Sequence, residues 1–224
     1  MCASQITNIA LVGIGSIGKR HHMAIEQIDN VNLAGIVDLS KHAKIYCDDK
    51  KIPLYENINN LKIDHNIDGV IISTPTILHH ENSIAALKLG LDVLIEKPIS
   101  AAINEAKEID KIAKDNNCKV LVGHQRRFYP LVLKTKKIIS DKKIGKVIGL
   151  SGVWGLRKDK DYFEPEWRKK VSAGPIITNL IHDIDYLRFI FGEIHSVSSF
   201  SSNMINNFEK EDIVSANIQF KNGV

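Results

Sequence analysis

The sequence predicts an α/β protein, with a doubly wound parallel sheet in its first half and an α+β arrangement in its second. Three observations lead there. Short apolar runs alternate with longer amphipathic stretches through the first half, a Gly13-x-Gly15-x-x-Gly18 loop directly follows the first apolar run, and the texture changes after "GHQRRFYP" (Gly123–Pro130). Strands that are apolar on both faces and separated by helices imply a parallel sheet covered on both sides. The change of texture sets a boundary near residue 124, giving an N-terminal domain of residues 1–124 and a C-terminal one of residues 125–224.

The elements follow in order. Ile9–Val12 reads as a buried strand, followed by a helix over about Ile17–Ile28. Leu33–Val37, Val70–Ser73, Val93–Ile95 and Val120–Val122 read as further buried strands, each a short run rich in β-branched or aliphatic residues. Helical patterns fall near Lys41–Lys50, Glu81–Leu89 and Asn104–Asn116. Beyond residue 130 come a helix at Leu131–Ser140, a strand-like Val147–Trp154 and a polar, aromatic-dotted segment, Gly155–Ser172. A helix opening at Gly174-Pro175 and strands at Ser196–Ser202 and Ile213–Phe220 complete the pattern. Asn222-Gly223 is a hairpin-turn signal with almost no chain after it, so the expectation is a sheet left incomplete in a truncated form of a longer protein.

Composition narrows the class. With 44% hydrophobic and 25% charged residues, the chain has the make-up of a soluble globular protein. A net charge of +4, from 30 Lys+Arg against 26 Asp+Glu, and 6% aromatic residues argue against a nucleic-acid partner. Basic runs such as Lys134/Lys136/Lys137 and Lys169-Lys170 read as solvated faces. Cys2, Cys47 and Cys118 match no metal spacing, and so sparse and odd a count suits a reducing compartment. The N-terminus lacks a basic leader, and its apolar run is too short to cross a membrane, so the expected location is cytoplasmic.

The glycine loop carries the first chemistry. Gly13 permits a tight turn, Gly15 lets the backbone approach a pyrophosphate, and Gly18 allows close helix–strand packing. Ser16 and Ile17 begin the helix whose free N–H groups and positive dipole end attract phosphates. Asp38 ends the second predicted strand, at the spacing where an acid accepts hydrogen bonds from ribose hydroxyls. Its charge repels a 2′-phosphate, so NAD is expected over NADP, although Ser40 and Lys41 beside it keep NADP open. Glu96-Lys97-Pro98 stands where the Val93–Ile95 strand runs out, at the edge where open parallel sheets bind ligands. Taken alone, Lys97 is a surface lysine in a turn.

These pieces together resemble the Gfo/Idh/MocA family of NAD(P)-dependent sugar and cyclitol oxidoreductases. The resemblance rests on "GIGSIG", "STPTILHH" (Ser73–His80), "EKP", "GHQRRF" and "WRKKVSAGPIITNLIHDID", which occur in the family's order from residue 9 to about 192. It implies a Rossmann domain followed by an α+β domain with an open, mostly antiparallel sheet whose outer face builds a homo-oligomer. It also implies roles. Lys97 matches the lysine implicated in substrate binding and proton transfer, and His182 the histidine assigned as general acid/base. Ser73, Thr74, Pro75 and His79 match a segment lining the cofactor cleft, joined by Glu96 and Lys97, and Gln125 lies near the nicotinamide. Arg126, Trp167, Arg168, Thr178, Asn179 and Asp185 match positions on the side of a sugar-type substrate. Trp154, Arg157 and Tyr162 are expected to add selectivity.

The residues around His182 read differently by themselves. At about 100° per residue, Ile177, Ile181, Ile184 and Phe191 share one side as a core face. Thr178, His182 and Asp185 form a separate stripe, which on pattern alone is the solvent side of the helix. The resemblance reverses that reading and makes the stripe substrate-facing. Many family members carry an Asp four residues before the histidine, where this chain has Thr178, which can hydrogen-bond but cannot share charge. The expected reaction moves a hydride between a nicotinamide dinucleotide and a hydroxyl or keto group of a sugar, nucleotide sugar or cyclitol. Two alternatives stand beside it: a non-catalytic sensor of nucleotide or sugar, and a relative that uses bound NAD for glycoside cleavage.

Overall fold

The structure is a computed structural model that describes residues 6–224, so Cys2 and the first residues of the chain lie outside the described residues. The chain divides into two compact units, one ending at Gly123 and the other beginning at His124.

The first unit is built on six strands. These are β1 (Thr7–Val12), β2 (Val31–Val37), β3 (Leu54–Tyr55), β4 (Gly69–Ile72), β5 (Asp92–Ile95) and β6 (Val120–Val122). They pair in parallel in the order β3-β2-β1-β4-β5-β6. That is the strand order of a doubly wound dinucleotide fold, with its reversal point between β1 and β4. Five helices cover the sheet: α1 (Ser16–Ile25), α2 (Lys41–Lys50), α3 (Ile58–Asp64), α4 (His79–Lys88) and α5 (Ile103–Asp115).

The alternation of side chains along β1 explains why both faces must be covered. Ala10 and Val12 join one core with Val70, Ile72, Leu87, Leu91, Ile95 and Ile109, whereas Leu11 joins the opposite core with Ile25, Ile36, Ala43, Cys47 and Ile71. Burying each such Leu or Ile stabilises the fold by about 1.5–3 kcal/mol. Sequence periodicity misses β3 and α3. A two-residue strand has no period to detect, and α3 is a single polar-rich segment, "INNLKID", started by the Asn57 side chain accepting from the Asn60 N–H at 3.0 Å.

The second unit contains α6 (Pro130–Ser140), with proline in its first turn, then short 3₁₀ turns over residues 160–173. A five-residue π-helical turn, Ile176–Leu180, runs directly into α7 (Ile181–Phe191). Strands β7 (Ile194–Ser202) and β8 (Ile213–Phe220) pair antiparallel.

Two expectations are corrected here. Val147–Trp154 is not a strand: residues 145–159 have no regular hydrogen-bonded structure, and Val153 is 99% exposed. A strand needs a neighbour to take its N–H and C=O groups, and no described strand pairs with this one despite its β-forming residues. The helix carrying His182 is also not one continuous 3.6-residue spiral. The π turn shifts the angular register of Ile177 against Ile181, so the supposed core face Ile177, Ile181, Ile184 and Phe191 is only half-buried, while His182 and Asp185 are the buried positions of α7.

Gly13 has φ +92° and Gly18 lies over its carbonyl, so a Cβ at Gly18 would sit 2.1 Å from the Gly13 oxygen. That oxygen belongs to backbone and cannot yield as a side chain would. Gly18→Ala is therefore expected to destabilise the first unit by about 1–3 kcal/mol. Gly15→Ala, whose Cβ meets nothing within 4 Å, should stay within about 0.5 kcal/mol of the parent. Chemical denaturation of the two variants side by side checks the contrast.

Candidate active site

The reversal of strand order opens a crevice at the carboxyl ends of β1 and β4. A cleft of about 1290 Å³ lies there, and Gly13, Gly15, Ser16, Asp38, Thr74 and Pro75 are among its walls. The Ser73 hydroxyl donates to the Gly13 carbonyl at 2.7 Å, tying the loop after β4 to the glycine turn. Ser73 is thus a wall residue whose hydroxyl is already used within the fold. Ile17 is 40% exposed and Gly18 is buried beneath the loop.

Helix α1 differs from its neighbours at the start. In α2 the Ser40 side chain accepts from the Ala43 N–H, and in α3 Asn57 does the same for Asn60. At α1 the cap is Gly15, with no side chain to accept anything. The first N–H groups of α1 therefore face the cleft without a side-chain partner. The Thr74 Oγ1 is buried in the opposite wall with no hydrogen-bond partner among the described residues. Asp38 is held in place by two backbone donors, with Ile14 N–H reaching Oδ2 and Ser40 N–H reaching Oδ1, both at 2.8 Å. Each carboxylate oxygen keeps a lone pair for a further donor.

The Glu96-Lys97-Pro98 turn follows β5, and the Lys97–Pro98 bond is cis. Glu96 pairs with His21 of α1: His21 Nε2 lies 2.9 Å from Glu96 Oε1. Burial pushes the Glu96 carboxyl up, but the His21 hydrogen bond and charge, with the Lys97 N–H and ammonium, outweigh it and hold the carboxyl below the usual range. His79 is 1% exposed and touches carbonyls on both sides, Pro98 O at 2.8 Å and Thr74 O at 2.9 Å. It stands behind the cleft and joins the loops after β4 and β5. Burial, as the largest influence, lowers its pKa against the two carbonyls, which favour protonation.

In the second unit, the sequence segment after β6 forms a 3₁₀ turn, Gln125–Phe128, with Gln125 exposed. Arg127 makes a two-pronged contact with Asp185, Nε to Oδ2 at 2.8 Å and a terminal nitrogen to Oδ1 at 2.5 Å. His124 Nδ1 is 3.6 Å from the same carboxylate. Arg126 pairs with Asp183 at 3.1 Å. Asp185 is 6% exposed and His182 8%. Arg127 thus anchors Asp185, the residue expected to orient a sugar hydroxyl or the imidazole, by one donor on each of its oxygens. Arg127, Asp183 and His124 were not singled out from sequence; the adjacent arginines of "GHQRRF" were the available signal.

Thr178 spends its hydroxyl on the Gly174 carbonyl at 2.9 Å, and the Asn179 amide donates to Thr178 Oγ1 at 2.9 Å. Trp167 is partly exposed. The Arg168 guanidinium lies 4.3 Å from the Tyr162 ring centre and 5.2 Å from that of Trp167, with one nitrogen donating to Tyr162 O at 2.8 Å.

A parallel sheet of this strand order, with a glycine turn, an uncapped helix start and a strand-end acid around its crevice, defines a dinucleotide-binding protein of the Rossmann class. Residues 7–124 match the GFO/IDH/MocA oxidoreductase family with its NAD-binding Rossmann fold, and residues 132–224 match the GFO/IDH/MocA C-terminal domain. The chain belongs to that family. Among relatives, it is 26% identical over its whole length to an inositol 2-dehydrogenase/D-chiro-inositol 3-dehydrogenase of Lactiplantibacillus plantarum, covering 65% of that protein. It is 24% identical to a 2,7-anhydro-N-acetylneuraminate hydratase of Mediterraneibacter gnavus, over 94% of this chain and 58% of that one. Its fold is similar to that of a WlbA dehydrogenase from Bordetella pertussis in complex with NADH and UDP-GlcNAcA. There the TM-score is 0.88 at 22% identity, over 100% of this chain and 66% of that one. The chain thus spans about three fifths of the length of the curated relatives it matches.

The lowered Glu96 pKa has a consequence for acid stability. A carboxylate whose folded pKa is depressed stabilises the fold above its ordinary value of 4.5, and that contribution is lost as pH falls through the folded value. The advantage of the parent over Glu96→Gln is expected to be full at about pH 5.5 and to shrink steadily toward about pH 3. Melting temperatures of both proteins across that range check it.

Proposed function

We propose that this chain carries out hydride transfer between a nicotinamide dinucleotide and a hydroxyl or keto group of a sugar, nucleotide sugar or cyclitol. The single observation that carries the reading is the cleft at the β1/β4 reversal. There an open Gly15, an uncapped α1, a buried unpartnered Thr74 hydroxyl and a braced Asp38 leave room and donors for a dinucleotide. Gly13, Gly15, Ser16 and the first N–H groups of α1 would hold the pyrophosphate, and Asp38 the adenosine ribose. The charge of Asp38 favours NAD over NADP. When bound, the nicotinamide supplies the hydride acceptor in oxidation and the donor in reduction.

The residues of the chain divide the remaining work. In the oxidative direction His182 accepts the hydroxyl proton on a ring nitrogen, and the Lys97 ammonium stabilises the alkoxide that develops as the C–H bond breaks. Reduction runs the same proton back from His182 to the carbonyl oxygen. The Arg127–Asp185 pair supports the reading for His182, because it holds the helix one turn further along. Arg126, Trp167 and Arg168 are assigned to the sugar-type substrate, with Thr178 and Asn179 shaping the helix start rather than contributing charge.

Two relatives point the same way, one to a cyclitol and the other, a glucose-6-phosphate 3-dehydrogenase of Bacillus subtilis, to a sugar phosphate. A second reading is favoured by the relative named a hydratase, since adding water changes no net oxidation state. In that case bound NAD would be recycled within the turnover. We also infer a cytoplasmic setting, supported by free thiols at Cys47 and Cys118, and self-association through the β7–β8 sheet, supported by exposed Phe200 and Ile213. No helix of the described residues is long and apolar enough to cross a membrane.

NADH is expected to raise the melting temperature of the chain and to do so more than NADPH. Gly15→Val should abolish the shift without altering the apo melting point, because the added side chain fills the cleft rather than the core. On a panel of sugars, nucleotide sugars and inositols, NADH fluorescence should accumulate with one class, and Lys97→Ala and His182→Ala should each lower kcat by about 10²–10⁴ with NADH binding retained. Product without NADH accumulation would favour the hydratase-like reading, and absence of any dinucleotide shift would overturn both. Phe200→Glu is expected to move the chain to a smaller species in size-exclusion chromatography if β7–β8 is the self-association face.

A further inference from the structure

The helical run that carries Thr178 and His182 begins without a capping side chain of its own: Pro175 stands at the start of the π turn and makes no side-chain cap. The cap comes from 35 residues further along the chain. Glu211, in the segment just before β8, accepts the Ile176 N–H on Oε1 at 2.9 Å. Its carboxylate lies against Gly174 so closely that a Cβ there would sit 2.2 Å from Oε2 and 2.4 Å from Oε1. Only glycine leaves room for the carboxylate at that position, and Gly174 in turn receives the Thr178 hydroxyl on its carbonyl.

Glu211 does not arrive there by chance of a loose loop. Its segment is pinned on both sides. The Lys210 N–H donates to Lys169 O, the Lys170 ammonium pairs with Glu209 at 2.5 Å, and the Asp212 N–H donates to Ser202 O. The Asp212 carboxylate also takes the N–H groups of Ile205 and Asn206. The Lys210 side chain is buried with its ammonium 4.8 Å from the Phe163 ring centre. These contacts present one acidic side chain to one helix end.

We propose that Glu211 is a positioning residue for His182: its carboxylate caps the helical run at Ile176 and places a negative charge at the positive end of the helix dipole. An anion there stabilises the helix start, and because it adds negative potential along the axis it favours the protonated form of a histidine further along. His182 is six residues beyond the capped amide, about 9 Å at the usual helical rise, comparable to the screening length of about 8 Å at physiological salt. Glu211 and Asp212 both face the Lys210 ammonium, and Lys170 pairs with Glu209; beside His182 on α7 stand Asp183, paired with Arg126, and Asp185, paired with Arg127 and near His124. Lys210 and the acids oppose one another, so the specific effect of Glu211 is read by neutralising it alone. The role rests on the assignment of His182 as the proton-handling group, while the cap itself does not.

The test uses the full chain without substrate. His182 is titrated by NMR through its ring protons, and protection of the Ile176 amide is read by hydrogen exchange, in the parent, Glu211→Gln, Glu211→Ala and Gly174→Ala. Glu211→Gln keeps an acceptor for Ile176 and should preserve its protection, while lowering the His182 titration by about 0.3 pH unit. Glu211→Ala should lose both. Gly174→Ala should lose the Ile176 protection by displacing the carboxylate, and combining it with Glu211→Ala should add little, since both remove the same contact.

If the His182 titration is the same in the parent and in Glu211→Gln, the positioning claim fails. If Glu211→Gln loses Ile176 protection as fully as Glu211→Ala, the cap is not the interaction described, and the proposal is overturned. Should Glu211→Ala fail to fold, the glutamine variant still decides the question. Turnover by His182→Ala on an identified substrate tests the functional reading separately, so failure of one is distinguishable from failure of the other.

Discussion

The close approach of two backbone segments at the carboxyl edge of the sheet underlies everything the first unit can do. Gly18 packs on the Gly13 carbonyl, and the Ser73 hydroxyl donates to the same carbonyl, so the turn after β1 and the loop after β4 are joined at the point where the strand order reverses. The turn must bend back at Gly13, with φ +92°, for α1 to start where it does. With that geometry held by sterics, the N-terminus of α1 is aimed into the crevice, and its unpartnered N–H groups become a property of the fold rather than of any mobile side chain.

Buried polar groups extend this bracing outward. His79 spans the carbonyls of Thr74 and Pro98, and Glu96 ties α1 to the turn that carries Lys97. Each is a residue expected along the cofactor cleft, and each joins two segments of the fold. A buried polar side chain costs stability unless it is hydrogen-bonded. Such groups therefore end up where two loops both need a partner, and the loops acquire a fixed spacing as a result. Asp38 both braces the fold through two backbone donors and lines the cleft.

The second unit follows a different rule, in which carboxylates organise one helix. Glu211 closes the start of the π turn, Asp183 meets Arg126, and Asp185 takes both prongs of Arg127. His182 lies between these anchored points on a helix with little freedom to turn. The π turn at Ile176–Leu180 is what brings the polar stripe, rather than the isoleucines, to the buried positions, because it breaks the 3.6-residue register on which the apolar stripe was reckoned.

By itself the sequence determined the parallel sheet, five of its six strands, the placement of the glycine turn and the identity of the acid after β2. These are local features: apolar runs, a spacing of glycines and a strand end, each set by residues within a few positions of one another. Tertiary structure alone decided the rest. Val147–Trp154 has the residues of a strand but no ladder partner among the described residues, so its propensity goes unused. The two-residue β3 exists because β2 offers an edge. The partners of Glu96, Asp185 and Ile176 lie 75, 58 and 35 residues away in the chain. Period and motif report only what neighbours in sequence do. A hydrogen bond or ion pair between distant segments is selected by the three-dimensional packing that brings its groups together, and that selection set which polar residues of this chain hold the fold.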